Sequence, residues 1–342
     1  MFDLTLLQSP HVFLFGISFT VVFFLLFALA QSKYGGNRRR ARYGGTVVAI
    51  VTAAAAAVWL GFDSLAAGLA AATAVILIGG TIDEISTLSP ASQLAAQGTA
   101  AAIAVASGWI IPFVTNPFGE GVIYVDWLRL GETFSLAAFL LTCLWLVFLM
   151  NSVNWLDGTD GLAGTIGLVA FITLATVSLL PSTQDSRTFA LAVIGAGTIL
   201  GFLIWNWAPA RLYLGTSGAW FLGLYLGLVA IVGGGKIATT LLVLALPAID
   251  TVSVVVQRLA SRQAPWRGDR IRHLHFRLRA AGISDRGIAL LGGVVTAVCG
   301  AGAVLLQTAD KLLLLVVGTS IGLLAAVFWW RQRAAPGITK HP

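Results

Sequence analysis

Long apolar segments constrain the fold of this 342-residue chain more than any other feature. Hydrophobic residues make up 58% of the sequence and charged residues 10%, whereas ordinary soluble domains carry roughly 25% charged residues. A run of about 20 apolar residues can cross a bilayer as a helix. Such runs lie at residues 11–31, 45–61, 65–82, 92–112, 134–151, 161–180, 189–207, 218–233, 236–257, 287–307 and 311–330. The sequence therefore predicts an all-α, polytopic integral membrane protein with about 11 transmembrane helices, forming one transmembrane domain over residues 1–342.

The first apolar segment is followed by positive charge rather than preceded by it. The residues before it contain Asp3 and no basic residue, and the apolar run over 12–30 is long. A cleaved secretory signal has the reverse charge arrangement and a shorter apolar core, although Ala28-Leu29-Ala30 resembles a cleavage site. We interpret the segment as an uncleaved first transmembrane helix. The two cysteines, Cys143 and Cys299, lie inside apolar runs and predict no disulfide framework.

Basic residues are concentrated in alternate loops. With the N-terminus outside, 17 of the 21 basic residues fall on the cytoplasmic side: five at 33–42, Arg211, eight in the basic loop 258–286 and three in the tail 331–342. Cytoplasmic loops of membrane proteins carry an excess of Lys and Arg. We therefore predict an N-out, C-in chain in the cell inner (plasma) membrane. The same rule explains the net charge of +7, so we expect contact with anionic membrane lipid and no nucleic acid partner.

One long connection, residues 113–133, lies on the external side in this orientation. Its alternating residues Val122-Ile-Tyr-Val125 and its glycines predict a small hairpin at the membrane interface. The polar clusters fall instead in the loops after the third, fifth, seventh and ninth segments, which this orientation places on the cytoplasmic face. A site built at helix ends is therefore predicted on the cytoplasmic face.

Two carboxylates and two carboxamides lie within ten residues at the end of the fifth segment. They are Asn151, Asn154, Asp157 and Asp160. The aspartates are three residues apart and each precedes a glycine, which puts both acids on one side of a turn and lets the backbone approach a ligand. Carboxylates near a bilayer are costly and usually mark a site. An Asx-rich turn that caps the helix beginning near Gly161 is the alternative, and it accounts for only one aspartate.

Two further polar clusters lie at the predicted cytoplasmic boundary. Asp83 and Glu84 end the third segment, where the helix dipole disfavours negative charge. This indicates a bound cation or a catalytic role, with simple interfacial charges as the alternative; oxygen ligands on two loops suit Mg²⁺ carried in with substrate phosphates. After the seventh segment, Arg211 precedes the sequence Gly215-Thr216-Ser217-Gly218. That sequence could cradle phosphate with backbone N–H groups or form a flexible turn.

The loop after the ninth segment is densely basic and contains two histidines. A loop touching anionic lipid explains many of the arginines, and a lone His-x-His pair supplies too few ligands for zinc. We favour diphosphate recognition by the arginines, with histidine donating hydrogen bonds or a proton. Asp250, an intramembrane acid, is by default functional, although Arg258 could pair with it. The candidate residues in the loop are Asp269, Arg270, His273, His275 and Arg277.

Taken in order, these motifs resemble the polyprenyl-phosphate N-acetylhexosamine-1-phosphate transferases of glycosyltransferase family 4. The likeness runs from the first segment to residue 286, and its His-Leu-His-x-Arg-Leu form is most similar to the undecaprenyl-phosphate N-acetylglucosamine-1-phosphate transferases of teichoic-acid and O-antigen synthesis. It is less similar to the phospho-N-acetylmuramoyl-pentapeptide transferase. The matching motifs are Arg42-Tyr-Gly44-Gly45, Asn151-x-x-Asn154-x-x-Asp157-Gly-x-Asp160-Gly-Leu-Ala, Asn206-x-x-Pro209-Ala-Arg211, Pro247-x-x-Asp250-Thr and Asp269-Arg270…His273-Leu-His275-x-Arg277-Leu.

The resemblance implies a reaction and a set of ligands. A polyprenyl (undecaprenyl) phosphate would attack the phosphorus next to the sugar of a UDP-amino sugar, UMP would leave, and Mg²⁺, with Mn²⁺ as an alternative, would assist. By resemblance, catalysis falls to Asp83, Glu84, Asp157, Asp160 and His273, and the metal ligands are Asp83, Glu84 and Asp157. Substrate binding falls to Asn151, Asn154, Arg211, Thr216, Asp250, Asp269, Arg270, His275 and Arg277. The oligomeric state stays open, with a homodimer as one alternative.

Three positions depart from the family pattern. Glu84 replaces the second Asp of an Asp-Asp pair, Thr216 replaces the metal-ligating Asp, and Phe276 replaces a His. Thr216 is a neutral and weaker ligand, so the departure favours weaker Mg²⁺ binding. The alternatives to a working transferase are a catalytically degenerate homologue that binds polyprenyl phosphate or nucleotide sugar or acts as a partner subunit, and a transporter with an ion site at mid-membrane.

Overall fold

The computed structural model describes residues 10–31, 43–116, 121–130, 134–181, 183–232, 236–264 and 272–334. Helices dominate this part of the chain. Their bounds are α1 Pro10–Gln31, α2 Gly44–Leu60, α3 Ser64–Ser86, α4 Pro90–Ala106, α5 Leu136–Leu156, α6 Leu162–Ser178, α7 Ser186–Asn206, α8 Gly215–Val232, α9 Ile237–Val243, α10 Ala245–Ala260, α11 Leu274–Ala280, α12 Asp285–Leu305 and α13 Thr308–Ala334. Each predicted apolar segment coincides with a helix or, in one case, with a broken helix, and the all-α class is confirmed.

Five of the described helices are long and apolar enough to cross a membrane: α3, α5, α7, α8 and α12. A sixth span results if the bent pair α9–α10 is counted as one. Several other helices expose large apolar side chains, as a helix facing lipid would. These features are those of an integral membrane protein. The full set of 11 spans and the N-out, C-in orientation stay predictions.

The predicted single helix over 236–257 is wrong, because the chain bends by 80° between α9 and α10. The bend falls at Leu244, whose backbone lies outside the helical region. Pro247 explains its position, since proline has no N–H to donate to the carbonyl of Val243 and its ring clashes with that carbonyl. Helix α10 therefore runs in a different direction from α9, and it carries Asp250.

The connection between α4 and α5 contains two small antiparallel sheets. Strand β1 (Phe113–Thr115) pairs with β2 (Val122–Tyr124), and β3 (Arg129–Leu130) pairs with β4 (Phe134–Ser135). The predicted hairpin is therefore confirmed, with a second, shorter hairpin that the sequence pattern does not reveal. Its position at a membrane interface stays a prediction.

Helix α8 is buried on nearly all sides and organises the bundle. It packs against α5 through two glycines: a Cβ on Gly223 would lie 2.6 Å from the backbone of Met150, and one on Gly227 would lie 2.7 Å from the side chain of Leu146. The residue order shows that the two helices are antiparallel, so the first turn of α8 lies level with the last turn of α5. The small-residue pattern therefore serves helix packing.

Candidate functional site

The end of α3 and the start of α8 are joined by three hydrogen bonds. The Thr216 hydroxyl donates to Asp83 Oδ2 at 2.9 Å, and the Ser217 backbone N–H and hydroxyl donate to Glu84 Oε1 at 3.1 and 3.0 Å. The helices touch because Gly80 has no side chain; a Cβ there would lie 2.4 Å from the Ser217 backbone. We call Asp83, Glu84, Thr216 and Ser217 the α3–α8 clasp.

The second oxygen of Asp83 is held from the α3–α4 connection. Asp83 Oδ1 accepts hydrogen bonds from the Leu88 backbone N–H at 2.9 Å and from Gln93 Nε2 at 2.8 Å. Together with Thr216, these donors fix both oxygens of a half-buried carboxylate. Both oxygens of Asp83 are therefore hydrogen-bonded at a helix C-terminus, where the helix dipole disfavours negative charge.

Helix α4 connects the clasp to α5. Gln93, which contacts Asp83, and Gln97 lie one turn apart on α4, and Gln97 Oε1 accepts a hydrogen bond of 2.6 Å from Asn151 Nδ2. The Asn151 amide also donates to the carbonyl of Val147. Two successive turns of α4 thus contact Asp83 on α3 and Asn151 on α5, which are far apart in sequence.

The turn between α5 and α6 holds the two motif aspartates in different environments. Asn154 is half-buried on the last turn of α5, and Asp157 is the half-buried C-cap residue of that helix. Asp160 Oδ2 accepts the backbone N–H of Ala210 at 2.8 Å and so ties the turn to the loop after α7. The capping interpretation is wrong, because α6 has Gly161 as its N-cap and no side-chain cap. Asp160 braces two loops instead.

Asn206 supports the same turn from the end of α7. Its Oδ1 accepts the backbone N–H of Gly161 at 3.1 Å, and its Nδ2 donates to the carbonyl of Leu212 at 2.9 Å. The side chain is almost fully buried. Arg211, which lies in this braced loop, is exposed to solvent. The loop therefore presents a charged side chain from a fixed backbone.

Asp250 on α10 holds His273 at the start of α11. Asp250 Oδ2 lies 2.7 Å from His273 Nδ1, and Asp250 Oδ1 accepts the backbone N–H of Leu274 at 2.8 Å. Both side chains are buried. The Asp250 carboxylate is therefore engaged by α11. Arg258 lies with its guanidinium 5.3 Å from the ring centroid of Trp155, and the Trp155 ring meets His273 edge-on at 5.3 Å.

His275 packs into the α5–α6 turn. It is 3% exposed, and Gly158 fits against it so closely that a Cβ on Gly158 would lie 2.6 Å from His275 Nε2. Burial lowers the pKa of His275 to about 4, so the ring is neutral at physiological pH. The predicted contact of His275 with a diphosphate stays a prediction; what the geometry gives the ring is a packing role under the turn.

Arginines tie α11 to its surroundings. Arg277, a predicted substrate-binding residue, donates to Gln257 Oε1 at 3.1 Å. Arg279 donates to the carbonyl of Gly158 and the hydroxyl of Thr159, both at 3.3 Å, and pairs with Asp285 at 2.8 Å. Sequence reasoning missed the role of Arg279, because nothing distinguishes it from the other arginines of a basic loop. The predicted residues Asp269 and Arg270, and Arg42 of the resemblance, lie outside the described residues.

A cavity of about 610 Å³ lies beside this cluster, between the bent pair α9–α10 and helices α12 and α13. Its walls are mostly apolar, with residues such as Leu246 and Val295. The polar residues that line it include Asp250, Arg272 and Arg277, so it adjoins the α10–α11 contact. The site thus combines charged groups at helix ends with an apolar volume next to them.

The predicted metal ligands do not form a metal-binding group. Among the described residues, no set of three or more His, Cys, Asp or Glu side chains is arranged to hold an ion. Asp83 and Glu84 instead accept hydrogen bonds in the α3–α8 clasp, and Asp157 lies on a different helix end. These residues therefore do not fit a resident metal ion. The assignment of Asp83, Glu84 and Asp157 to a Mg²⁺ ion carried in with substrate phosphates stays a prediction, and in this structure the two acids of α3 accept hydrogen bonds from protein donors.

Residues 66–234 match the model of Glycosyl transferase family 4. This part of the chain belongs to that family. The match covers α4, α5, α6, α7 and α8 and nearly all of α3, and it includes both halves of the clasp and the α5–α6 turn. The family resemblance inferred from the motifs is confirmed.

Curated relatives of this chain include the following three transferases. A probable undecaprenyl-phosphate N-acetylglucosaminyl 1-phosphate transferase of Bacillus subtilis is 26% identical over 241 residues, covering 69% of this chain and 64% of the relative. A decaprenyl-phosphate N-acetylglucosaminephosphotransferase of Mycolicibacterium smegmatis is 29% identical, covering 64% and 57%. A phospho-N-acetylmuramoyl-pentapeptide-transferase of Carboxydothermus hydrogenoformans is 29% identical, covering 58% of each. The chain thus spans about three fifths of the length of these relatives.

Proposed function

We propose that this family 4 protein transfers a sugar-1-phosphate, N-acetylglucosamine-1-phosphate or that of a related amino sugar, from a UDP-sugar to polyprenyl phosphate and releases UMP. The names of the relatives support this class of reaction. We place the reaction at the cytoplasmic face of the cell inner membrane, as the first membrane step in the synthesis of a cell-envelope polysaccharide. A homodimer is not part of the proposal.

The observation that carries the proposal is the contact between α11 and the α5–α6 turn. His273 is hydrogen-bonded to Asp250 and contacts the ring of Trp155, and His275 packs against Gly158. A charged and hydrogen-bonding cluster thereby lies against Gly158 and Thr159, the two residues that follow Asp157. Beside it lies the apolar cavity, a volume suited to a lipid substrate. Phosphoryl transfer asks a protein mainly for such positioning and for charge neutralisation.

The roles of the residues follow from their contacts. We assign to His273 the tautomer that donates its Nδ1–H to Asp250, so that Nε2 can take the proton of the lipid phosphate monoester. A phosphate oxygen then attacks the phosphorus that bears the sugar, and the bond from that phosphorus to the UMP oxygen breaks. Arg277 neutralises phosphate charge near the cavity. Asn154 and Asp157 orient the nucleotide from the last turn of α5 and its C-cap.

Mg²⁺, with Mn²⁺ as the alternative, is proposed only as a partner of the substrate. Mg²⁺ in phosphoryl-transfer sites is usually held by one or two carboxylates together with substrate phosphates and water. Asp157 is the carboxylate we assign to it in that complex. When bound, the ion would neutralise charge on the diphosphate. No step above depends on it.

Membranes that contain the protein test the proposal directly. They are supplied with undecaprenyl phosphate and with UDP-N-acetylglucosamine or another labelled UDP-amino sugar, with and without Mg²⁺. We expect labelled lipid and stoichiometric UMP from at least one donor, and their loss in Asp157→Asn. Asp126→Asn is the matched control, since Asp126 is an exposed acid near β3 whose ion pair is with Arg129. Turnover by no UDP-amino sugar, or full activity of folded Asp157→Asn, refutes the proposal.

One observation favours a second candidate, a homologue that binds polyprenyl phosphate or nucleotide sugar without turnover or that acts as a partner subunit. Thr216 supplies a hydroxyl, not a carboxylate, to the contact with Asp83. The two candidates separate in the same membranes. Saturable binding of a UDP-sugar with no UMP release would support the non-catalytic candidate.

A further inference from the structure

The α3–α8 clasp supplies protein hydrogen-bond donors to two adjacent acids. At least five hydrogen bonds reach the pair among the described residues: Thr216, Gln93 and the backbone of Leu88 donate to Asp83, and the N–H and hydroxyl of Ser217 donate to Glu84. Adjacent carboxylates at a helix C-terminus repel each other and the helix dipole. The first turn of α8 counteracts this repulsion, because it supplies hydrogen-bond donors and the positive end of its own helix dipole.

We propose that Thr216 and Ser217 take the place of a resident divalent cation in this chain. The substrate-free protein is then held together at α3–α8 by hydrogen bonds, and a divalent cation enters only with a diphosphate that brings its own oxygen ligands. The statement about the substrate-free chain is tested separately from the proposed transferase activity, whereas entry of the cation with a diphosphate rests on the proposed function.

The geometry of the clasp supports the proposal. Mg²⁺ requires near-octahedral oxygen ligands at about 2.0–2.1 Å and gives up its water reluctantly. The clasp offers one carboxylate oxygen of Asp83 paired with the neutral hydroxyl of Thr216 at 2.9 Å, while the carboxylate of Glu84 is turned to Ser217. No third acid or histidine joins them among the described side chains. An ion entering alone would have to break the Thr216 bond and would find few anionic ligands in return.

The helix contact leaves little freedom to rearrange. Gly80 lies against the backbone of Ser217 with no space for even one additional carbon, so α8 cannot move closer to α3. The Ser217 side chain is fully buried. The clasp is thus a packed junction in which the donors are fixed by two helix backbones, and it needs no ion to bring the acids and α8 together.

Binding of Mn²⁺, followed by electron paramagnetic resonance on the purified, substrate-free protein in detergent, tests the inference. We expect no stoichiometric binding to the wild type and none to Thr216→Ser, which keeps the hydroxyl. Thr216→Asp adds a charged ligand beside Asp83 and is expected to tighten Mn²⁺ binding by about tenfold or more, since a carboxylate attracts a divalent cation far more than a hydroxyl does. Adding UDP to the wild type should produce a bound Mn²⁺ signal beyond that of Mn²⁺ and UDP alone.

Thermal unfolding provides a second measurement that does not require the Thr216→Asp variant. EDTA should leave the Tm of the wild type unchanged, whereas Thr216→Val, which keeps the shape and removes the hydroxyl, should lower it by about 2–4 °C. One Mn²⁺ bound by the substrate-free wild type and lost in Asp83→Asn would overturn the inference. So would a fall in wild-type Tm on adding EDTA, or a folded Thr216→Asp protein that binds Mn²⁺ no better than the wild type.

Discussion

Replacing Asp250 by Asn tests the pair that orients His273. The carboxylate accepts two hydrogen bonds, from His273 Nδ1 at 2.7 Å and from the Leu274 N–H at 2.8 Å, and both side chains of the pair are buried. Asn keeps the shape but offers one acceptor and one donor, so one of the two bonds is lost and no charge remains. Hydrogen bonds to charged groups are worth about 1.5–3 kcal/mol. If that energy holds the ring in its working orientation, turnover should fall by roughly 10- to 150-fold.

The assay is the rate of lipid-linked sugar formation in membranes, read together with the Tm of the purified protein. Thr251→Val is the matched control on the next residue of α10: the Thr251 hydroxyl is buried with no hydrogen-bond partner among the described residues, so a methyl group in its place should cost nothing. We expect Asp250→Asn to lose rate at temperatures well below its Tm, where the protein is folded, so that unfolding does not account for the loss. An Asp250→Asn protein with wild-type turnover would show that the Asp250–His273 pair does not position a reacting group.

Two further predictions concern the contact between α11 and the α5–α6 turn. Burial lowers the pKa of His275 to about 4, from a value near 6.5 in the unfolded chain, so the folded state binds fewer protons between these two pH values. The free energy of unfolding should therefore fall by up to about 3 kcal/mol as the pH drops from 6.5 to 4. Tm measured from pH 7 to pH 4.5 should show this loss, and His275→Leu should flatten it; equal slopes would contradict the assignment. Gly158→Ala places a Cβ 2.6 Å from His275 Nε2 and should cost about 1–3 kcal/mol, whereas Gly98→Ala, with open space around it, should leave the Tm unchanged or higher. A Gly158→Ala protein as stable as Gly98→Ala would mean that α11 does not press on the turn.

Much of the fold could be predicted from the sequence because a bilayer restricts the choice of structure. Apolar runs of spanning length must satisfy their own backbone groups, so they become helices, and their positions are visible in the hydropathy pattern alone. The bend at Leu244 was not predicted, although Pro247 was present to signal it. A proline removes one helical hydrogen bond but does not by itself fix the angle of the bend; in the structure α12 and α13 pack against both α9 and α10.

The candidate site, like the fold, could be predicted from the sequence only in part. Residue type and spacing indicated that Asp83, Asp157 and His273 carry chemistry, because charged groups are costly next to a membrane. Spacing could not show what each acid contacts. Asp160 holds a loop and Asp250 holds a histidine, and these roles depend on groups 50 and about 20 residues away in the chain.

The sequence by itself determined a helical membrane protein with acids, amides and histidines at helix ends, since hydropathy and charge are properties of each residue. Only the tertiary structure decided which donor meets which carboxylate. The glycine contacts at Gly80 and Gly223 set how closely α8 approaches α3 and α5, and that approach brings Thr216 to Asp83. Hydrogen bonds act over about 3 Å, so such pairings follow from helix packing and are not written in local sequence.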